Sequence, residues 1–411
     1  MIQVAIMGFG VVGSGVAKII EENAALLKTR LGEEVNVKYI LDIRDFTGHA
    51  MAGRVVRDFA VIEHDPDVKV VVEAMGGVHP AYDYSLKAIR AHKSVVTSNK
   101  ELVSLHGREL LVEAKKAGVR YLFEASVGGG IPIIRPLSDC LAANKISSVT
   151  GIMNGTTNYI LTQMKENGTP FADALSDAQA RGFAERDPSA DIDGKDTCRK
   201  LSILADIAFG YQVDPNEIYC EGIRNISPRD ISDATEAGYC IKLLGHARVD
   251  EEGITPIVAP FLLANTHILS GVSGVFNGIG VVGNMVGETM FYGHGAGSAP
   301  TASAMVGDII EACEVSSSPV LWEEKAPEGY IKDVTTCPFA RYLRVKGTRA
   351  DSLTTLAECA VRAVSHEDET AFFLPPMTDD EFAVILKMIP ELTVTSSIRI
   401  FTPGEFVPKN G

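Results

Sequence analysis

The sequence predicts an α/β protein with a doubly wound parallel sheet at its start, a following α+β domain with its own sheet, and a β-α-β-β-α-β tail. Three observations predict this. Over the first 130 residues short apolar runs alternate with helical patterns, the arrangement of parallel strands joined by crossover helices. A glycine triplet lies directly between the first apolar run and the first helix. The texture changes near Gly130, and a second alternation of strand and helix patterns begins at about residue 338. A chain of 411 residues has room for two or three such domains.

The elements follow in order. Residues 2–7 are a short apolar run that reads as a buried strand. After it, Val16, Ile19 and Ile20 recur at helical spacing, continuing to Leu26 and Leu27. Further strands are expected at Val37–Ile43, Val68–Glu73, Ser94–Thr97 and Arg120–Glu124, with helices at Tyr82–Ala91 and Leu102–Ala117. In the second segment Ile146–Met153 reads as a strand, Thr156–Lys165 and Lys195–Gly210 as helices, and Ser232–Arg248 as a helix running into a strand. Gly271–Gly297 is glycine-rich. A helix over 301–313, opened by Pro300-Thr301, is expected to return to the first domain. The boundaries expected are 1–130, 131–299, a linker at 314–335 that holds the only tryptophan, Trp322, and a tail at 336–411. The tail elements are Arg341–Val345, Ser352–Ala360, Val361–Val364, Ala371–Leu374, Asp379–Met388 and Leu392–Phe401.

Composition narrows the function. With 46% hydrophobic and 22% charged residues the chain is neither disordered nor fibrous. No run of about 18 apolar residues occurs, so no membrane span is expected. A net charge of −15 argues against a nucleic-acid partner, though it leaves room for a local basic pocket. The seven cysteines are scattered, with no CxxC clip, and read as reduced core cysteines of a cytoplasmic protein. No export signal is expected. The histidines show no HxxxH or HExxH spacing, and no zinc set is visible. His294 reads as a loop residue, Lys115-Lys116 as a solvated helix end, and Cys140 as a packed thiol in a helical stretch, Pro136–Ala143.

Gly8-Phe9-Gly10-Val11-Val12-Gly13 has the strand–loop–helix context that turns a glycine motif into a dinucleotide site. Gly8 permits the tight turn, Gly10 lets the backbone approach a pyrophosphate, and Gly13 lets helix and strand pack closely. The helix N-terminus offers free N–H groups and partial positive charge. Asp42 and Arg44 stand together at the end of the second strand. An acid there suits the ribose hydroxyls of NAD, and an arginine the 2′-phosphate of NADP. Arg44 tilts the reading towards NADP, with NAD the alternative. Asp42 comes later after the glycines than usual, a delay that the long first helix and the Gly32–Glu34 turn can absorb.

A second cluster spans Gly182 to Lys200. Pro188 and Gly194 mark a loop, and Asp193 is a plausible helix cap. Asp196 and Lys200 are four apart and share a helix face that Ile203, Leu204 and Ile207 extend inward. A lysine held by an acid in a partly desolvated cleft can exchange a proton. A routine surface pair is the other reading of the spacing alone.

These blocks, with Thr97–Lys100, Phe123–Pro132, Gly151–Leu161, Gly287–Gly297 and Pro300-Thr301-Ala302, resemble homoserine dehydrogenase over about residues 1–315 and in that family's order. The resemblance implies a Rossmann domain, a substrate-binding and dimerisation domain, and NAD(P)-dependent interconversion of L-homoserine and L-aspartate 4-semialdehyde. It implies Lys200 as the proton donor and acceptor, and Asp196, Glu185, Asp191 and Thr156 as substrate-pocket residues. Lys100 would be a further catalytic residue, near the nicotinamide and the reacting oxygen, and Gly76, Gly182, Gly295 and Gly297 would complete the cofactor set. Glu124, Val127, Gly129 and Ile131 would form a sodium site built mostly from backbone oxygens. A homodimer or homotetramer is expected. A dehydrogenase of another short amino-aldehyde and a silent nucleotide sensor are the alternatives. Phe183 departs from the tyrosine common in the family. The tail resembles the ACT regulatory domain, but Ala350 falls where a ligand-contacting glycine is expected in Lys346–Ser352. Threonine feedback and a purely structural or oligomerising tail therefore both remain open.

Overall fold

The computed structural model of the chain describes residues 1–314, 321–322, 324–347 and 350–402. It divides into two units: Met1–Lys145, Ser202–Pro215 and Phe291–Ala326 form the first, and Ile146–Leu201, Asn216–Met290 and Pro327–Gly411 the second.

The chain opens with β1 (Ile2–Met7), α1 (Val11–Glu22), α2 (Ala24–Leu31), β2 (Val35–Leu41), β3 (Val55–Val56), α3 (Ala60–Glu63), β4 (Val68–Glu73), α4 (Ala81–Arg90), β5 (Ser94–Thr97), α5 (Lys100–Ala117) and β6 (Tyr121–Leu122). The strands pair in parallel in the order β3-β2-β1-β4-β5-β6. This is the doubly wound order, with its switch point between β1 and β4. The central strands are mostly apolar because both faces are covered; Val4, Ile6, Val70, Val72 and Val96 share one core with Val16 and Ile20 of α1. The predicted first helix is two: Asn23 ends α1 and opens α2, which stops at Gly32 with φ 73°. The extra turns of α2 account for the late position of Asp42.

The chain continues with β7 (Ile146–Ile152), α6 (Gly155–Asn167), α7 (Phe171–Ala180), α8 (Ser189–Ile192), α9 (Lys195–Phe209), β8 (Tyr211–Gln212), β9 (Tyr219–Cys220), α10 (Pro228–Glu236), β10 (Tyr239–Val249), β11 (Ile254–Ala264), β12 (Phe276–Gly283), β13 (Gly287–His294), α11 (Ser298–Glu314) and β14 (Glu324–Lys325). The glycine-rich stretch is therefore largely strand. Gly278 of β12 leaves room for Val272 and Met290, which a Cβ would meet at 2.8 and 2.9 Å. In the first unit α11 packs on α1, with Ala302, Met305, Val306 and Ile309 entering its core. Gly15 permits the approach, since a Cβ there would stand 3.0 Å from Ala302. Trp322, in the stretch read as a linker, is fully buried, its ring 5.9 Å from Phe123.

The tail comprises β15 (Phe339–Lys346), α12 (Ala350–Cys359), β16 (Arg362–Ser365), β17 (Glu369–Met377), α13 (Asp379–Met388) and β18 (Thr393–Phe401). Its strands continue the sheet of the second unit, in the order β13-β12-β7-β10-β11-β18-β15-β17-β16, with β9 on β11. The join is parallel, Phe261–Leu263 beside Arg399–Phe401. Buried polar contacts reinforce it: Arg344 pairs with Asp230 of α10 at 3.0 Å, and Tyr342 donates to Asp233 at 2.7 Å. Losing one partner of such a buried pair costs several kcal/mol, on the order of 3–5.

Candidate active site

The glycine loop behaves in the first unit as its residue types require. Gly8 has φ +86°, and a Cβ on it would lie 2.7 Å from the Ala74 carbonyl oxygen. A Cβ on Gly13 would stand 2.0 Å from the Gly8 oxygen, so helix and strand close only around glycine. Among the described residues nothing lies within 4 Å of the equivalent point on Gly10, at the start of α1. That cradle fits a dinucleotide pyrophosphate: backbone N–H groups without side-chain bulk, at a helix N-terminus. A groove of about 490 Å³ adjoins it, lined by Gly8, Gly10, Asp42, Arg44, Arg57 and Gly76 among others.

Asp42 is buried at the end of β2 and fully engaged. It accepts from the Phe9 backbone N–H at 2.7 Å and, from Arg44, the backbone N–H at 2.9 Å, Nε at 3.0 Å and Nη2 at 2.7 Å. The Arg44 guanidinium beside it, with these N–H groups, holds its carboxyl well below the usual range. Arg44 itself is exposed and lies 5.3 Å over the Phe46 ring, which meets Phe9 edge-on. Val11 is exposed, while Val12 is half-buried against the core.

The far side of the groove rests on a residue the sequence reading passed over. Glu73, buried at the end of β4, accepts from Thr97 Oγ1 at 2.6 Å and from the Met75 N–H at 2.8 Å. Burial pushes its carboxyl up. The bond ties the carboxyl ends of β4 and β5 together, below Gly76 at φ +79°. Asn99 adds a bond to the Gly77 oxygen at 2.6 Å and caps α5, whose first residue is Lys100. The sequence signal for Glu73 was an acid directly after the apolar run Val70-Val71-Val72.

Gly129, at φ +57°, and Gly295 belong to two turns that touch: a Cβ on Gly129 would lie 2.4 Å from the Gly295 oxygen. Gly297 follows at φ +119°. His294 ends β13 rather than lying in the loop, and its carbonyl accepts from Gly130 at 3.1 Å. Gly182 belongs to the second unit, at the turn after α7.

The Glu124 carboxylate is buried and captures three successive N–H groups, those of Ile133 at 2.6 Å, Ile134 at 2.7 Å and Arg135 at 2.9 Å. Its own N–H donates to Asp308 at 2.9 Å. The Glu124 carboxylate is thereby committed within the protein. Among the described residues no group of three or more His, Cys, Asp or Glu side chains is placed to hold a metal.

The second unit brings the acid and lysine cluster together. Lys200 and Asp196 are both buried on α9, with Nζ 2.9 Å from Oδ2. Lys200 also donates to the Met153 carbonyl oxygen at 2.8 Å. The pair faces inward because Leu201, Ile203 and Leu204 bury the flanks of the helix. Asn154, inside a recognised motif but not singled out, is the hub. Its Nδ2 donates to Asp191 at 2.7 Å and to Asp196 at 2.9 Å, while its Oδ1 caps α6 through the Thr157 N–H at 2.9 Å. Burial raises the Asp191 pKa, the Asn154 bond opposes that, and the Asp196 charge adds to it.

The other candidates land differently. The Thr156 hydroxyl donates to the Phe183 carbonyl at 2.6 Å, and the exposed Phe183 ring meets Tyr159 edge-on at 5.0 Å. Glu185 is exposed, and among the described residues its carboxylate makes no ion pair. Asp193 does not cap α9. Gly194 occupies that position, its carbonyl accepting from the Cys198 N–H, while the Asp193 carboxylate is drawn to Arg224 instead, with Nη2 at 2.9 Å. Cys140 is exposed in a single wide turn, Pro136–Cys140, not packed. Cys220 and Cys359 are exposed as well, so the cysteines are not all core residues.

A phosphate-cradling loop on a doubly wound sheet, and a buried lysine–carboxylate pair in a second unit, define a dinucleotide-dependent oxidoreductase. Comparison with known proteins agrees. The family model for the NAD-binding domain of homoserine dehydrogenase matches residues 8–124, and the homoserine dehydrogenase model matches residues 132–310. The chain is 43% identical over 324 residues to homoserine dehydrogenase of Synechocystis sp., covering 77% of this chain and 74% of that one. Its fold is similar to a homoserine dehydrogenase from Thiobacillus denitrificans, with TM-score 0.90, 34% identity, and 98% and 99% of the chains covered. A hyperthermophilic archaeal homoserine dehydrogenase mutant in complex with NADPH superimposes with TM-score 0.64 and 29% identity, over 76% of this chain and 97% of that one. The chain belongs to the homoserine dehydrogenase family, oxidoreductases of homoserine and aspartate semialdehyde. Among the described residues no helix is long and apolar enough to cross a membrane.

Proposed function

We propose that Lys200 is the general acid and base in the interconversion of L-homoserine and L-aspartate 4-semialdehyde. One observation carries the reading: the buried ammonium spends one N–H on Met153 and one on Asp196. A lysine has three donors, so one remains for a substrate oxygen. In aldehyde reduction Lys200 gives that oxygen its proton; in alcohol oxidation the neutral amine takes it back. The bound nicotinamide supplies the hydride acceptor or donor. Asp196 orients the amine and the reacting end of the substrate, with Asp191 and Thr156 in the same pocket. Glu185, exposed and among the described residues in no ion pair, is the acid for the substrate ammonium. Lys100 is the residue proposed near the nicotinamide.

NADP is the proposed cofactor, with NAD the alternative. Both Asp42 oxygens are already occupied, so the acid that would accept ribose hydroxyls is committed to Phe9 and Arg44. The exposed guanidinium keeps further donors for a phosphate. Gly8, Phe9, Gly10, Val11, Val12, Gly13, Gly76, Gly182, Gly295 and Gly297 complete the proposed contacts. A sodium ion on the backbone oxygens of Glu124, Val127, Gly129 and Ile131 is supported by the tight approach of Gly129 to Gly295, which leaves no space for side chains.

The tail is proposed to be ACT-like, since its strands lie in the order fourth, first, third, second. Thr348 and Arg349 of the candidate effector loop lie outside the described residues, and Ala350 opens α12. The shared sheet supports the structural reading of the tail, beside threonine control. A homodimer or homotetramer is the proposed assembly. Steady-state oxidation of homoserine with each cofactor, with and without threonine, and with sodium replaced by choline, tests the cofactor, effector and sodium readings, and sedimentation equilibrium tests the assembly. A preference for NAD or indifference to sodium would overturn the corresponding reading, and threonine inhibition would favour control over a purely structural tail.

A further inference from the structure

Within the second unit a short segment, residues 219–224, joins the tail to the turn that carries Asp191. Arg399 of β18 is buried, and its guanidinium lies 4.8 Å over the Tyr219 ring of β9. Its Nη1 donates to Glu221 Oε2 at 2.9 Å, and its Nη2 donates to the Tyr219 hydroxyl at 3.1 Å and to Asp379 of α13 at 3.3 Å. On its other side the segment grips residues 192 and 193. The Ile223 N–H donates to the Ile192 oxygen at 2.9 Å, the Cys220 thiol to the Asp193 oxygen at 3.1 Å, and Arg224 Nη2 to the Asp193 carboxylate at 2.9 Å. A Cβ on Gly222 would lie 2.2 Å from the Ile192 oxygen, so segment and turn meet backbone to backbone. One residue earlier, Asp191 accepts from Asn154 at 2.7 Å.

We propose that Arg399 of the tail is a positioning residue for homoserine binding: through Glu221 and Gly222 it holds the 189–194 turn, and with it Asp191, in place. β9 is two residues long, below the usual strand length of about three to ten, and its ladder to β11 runs from Ile257 to Val258. So short a ladder leaves the place of the segment to its side chains. The charge-assisted bond from a buried, planar guanidinium fixes both the distance and the direction of Glu221. The Glu221 N–H adds a bond to the Val258 oxygen at 2.8 Å. Gly222 follows directly, and its lack of a side chain lets the peptide rest on Ile192. Without the guanidinium Glu221 turns to solvent, the contact slackens, and Asp191 loses its fixed position. Lys200 is held separately, by Met153 and Asp196, so binding suffers more than the chemical step. The inference rests on the reading of Asp191 as a substrate-pocket residue.

The test measures homoserine KM, kcat and NADP KM in full-length variants, beside thermal melts. Arg399→Met raises the homoserine KM about tenfold, within the roughly two- to thirtyfold reach of residues coupled to a ligand they do not touch, while kcat and the NADP KM change by less than about twofold. Arg399→Lys keeps the charge and recovers part of the loss. Glu221→Gln, at a half-exposed side chain, raises the homoserine KM as well, and the double variant is no worse than Arg399→Met alone. Should Arg399→Met fold poorly, Glu221→Gln carries the test. Arg341→Met is the control: Arg341 is the ladder partner of Arg399 and also buried, but it hydrogen-bonds Asp379 and covers the Phe382 ring of α13. It lowers the melting temperature and leaves the homoserine KM unchanged. A parental KM in Arg399→Met and Glu221→Gln, or an equal rise in Arg341→Met, would overturn the proposal. Asp191→Asn separates the two levels. An unchanged homoserine KM there would overturn the pocket reading and the proposal with it; a raised one beside a parental KM in Arg399→Met would overturn the proposal alone.

Discussion

The Lys200 ammonium lies 2.8 Å from the Met153 carbonyl oxygen, a bond that joins α9 to the end of β7 across 47 positions of chain. With Asp196 it fixes the amine from two sides. Lys200→Ala should lower kcat by at least about 10²-fold, the usual share of a positioned acid–base group, with the cofactor dissociation constant unchanged. Turnover near the parent value, measured with saturating homoserine, would remove Lys200 from the chemistry.

Asn154 separates two carboxylates. Asn154→Ala removes the donor that lowers the Asp191 pKa, so the acid limb of the kcat/KM–pH profile should move to higher pH. It also removes the cap of α6, a loss of about 1 kcal/mol. An unshifted acid limb, with only the melting temperature lowered, would confine Asn154 to a structural role.

Arg44→Ala should cut kcat/KM with NADP by about ten- to a hundredfold, since a hydrogen bond to a charged group contributes about 1.5–3 kcal/mol. It also frees Asp42, so kcat/KM with NAD should hold or rise. Equal losses with both cofactors would contradict the reading.

The glycines of the loop should divide by what surrounds them. Gly13→Ala puts a methyl 2.0 Å from the Gly8 oxygen, so the first unit cannot close without backbone movement. Gly10→Ala meets nothing among the described residues, so it should fold normally and raise only the cofactor KM. Circular dichroism melts and cofactor titrations separate the two.

Lys242 is buried on β10, donating to Asn158 Oδ1 at 3.0 Å, and burial pulls its pKa from 10.5 down to about 8. Above pH 8 the folded chain has begun to release this proton while the unfolded chain keeps it up to about 10.5. Stability therefore gains a contribution as pH rises through that window, on the order of 1 kcal/mol per unit. Urea unfolding at about pH 7.5 and 9.5 should show this gain in the parent and not in Lys242→Met. Parallel pH dependence in the two proteins would rule it out.

What the sequence alone determined is local. The first sheet and its glycine loop were legible because strand and helix periods, and the φ > 0 and close-approach demands on Gly8 and Gly13, act over a few neighbours. The inward Asp196–Lys200 pair was legible because four residues make one helical turn. The tertiary structure decided everything that crosses the chain: Asn154 joining Asp191 to Asp196, Glu73 latching β4 to β5, and Glu124 gathering the N–H groups of 133–135. It also set the exposure of Cys140 and seated β18 beside β11. A side chain's partners and burial depend on segments that arrive from far along the chain, and residue spacing carries no record of them.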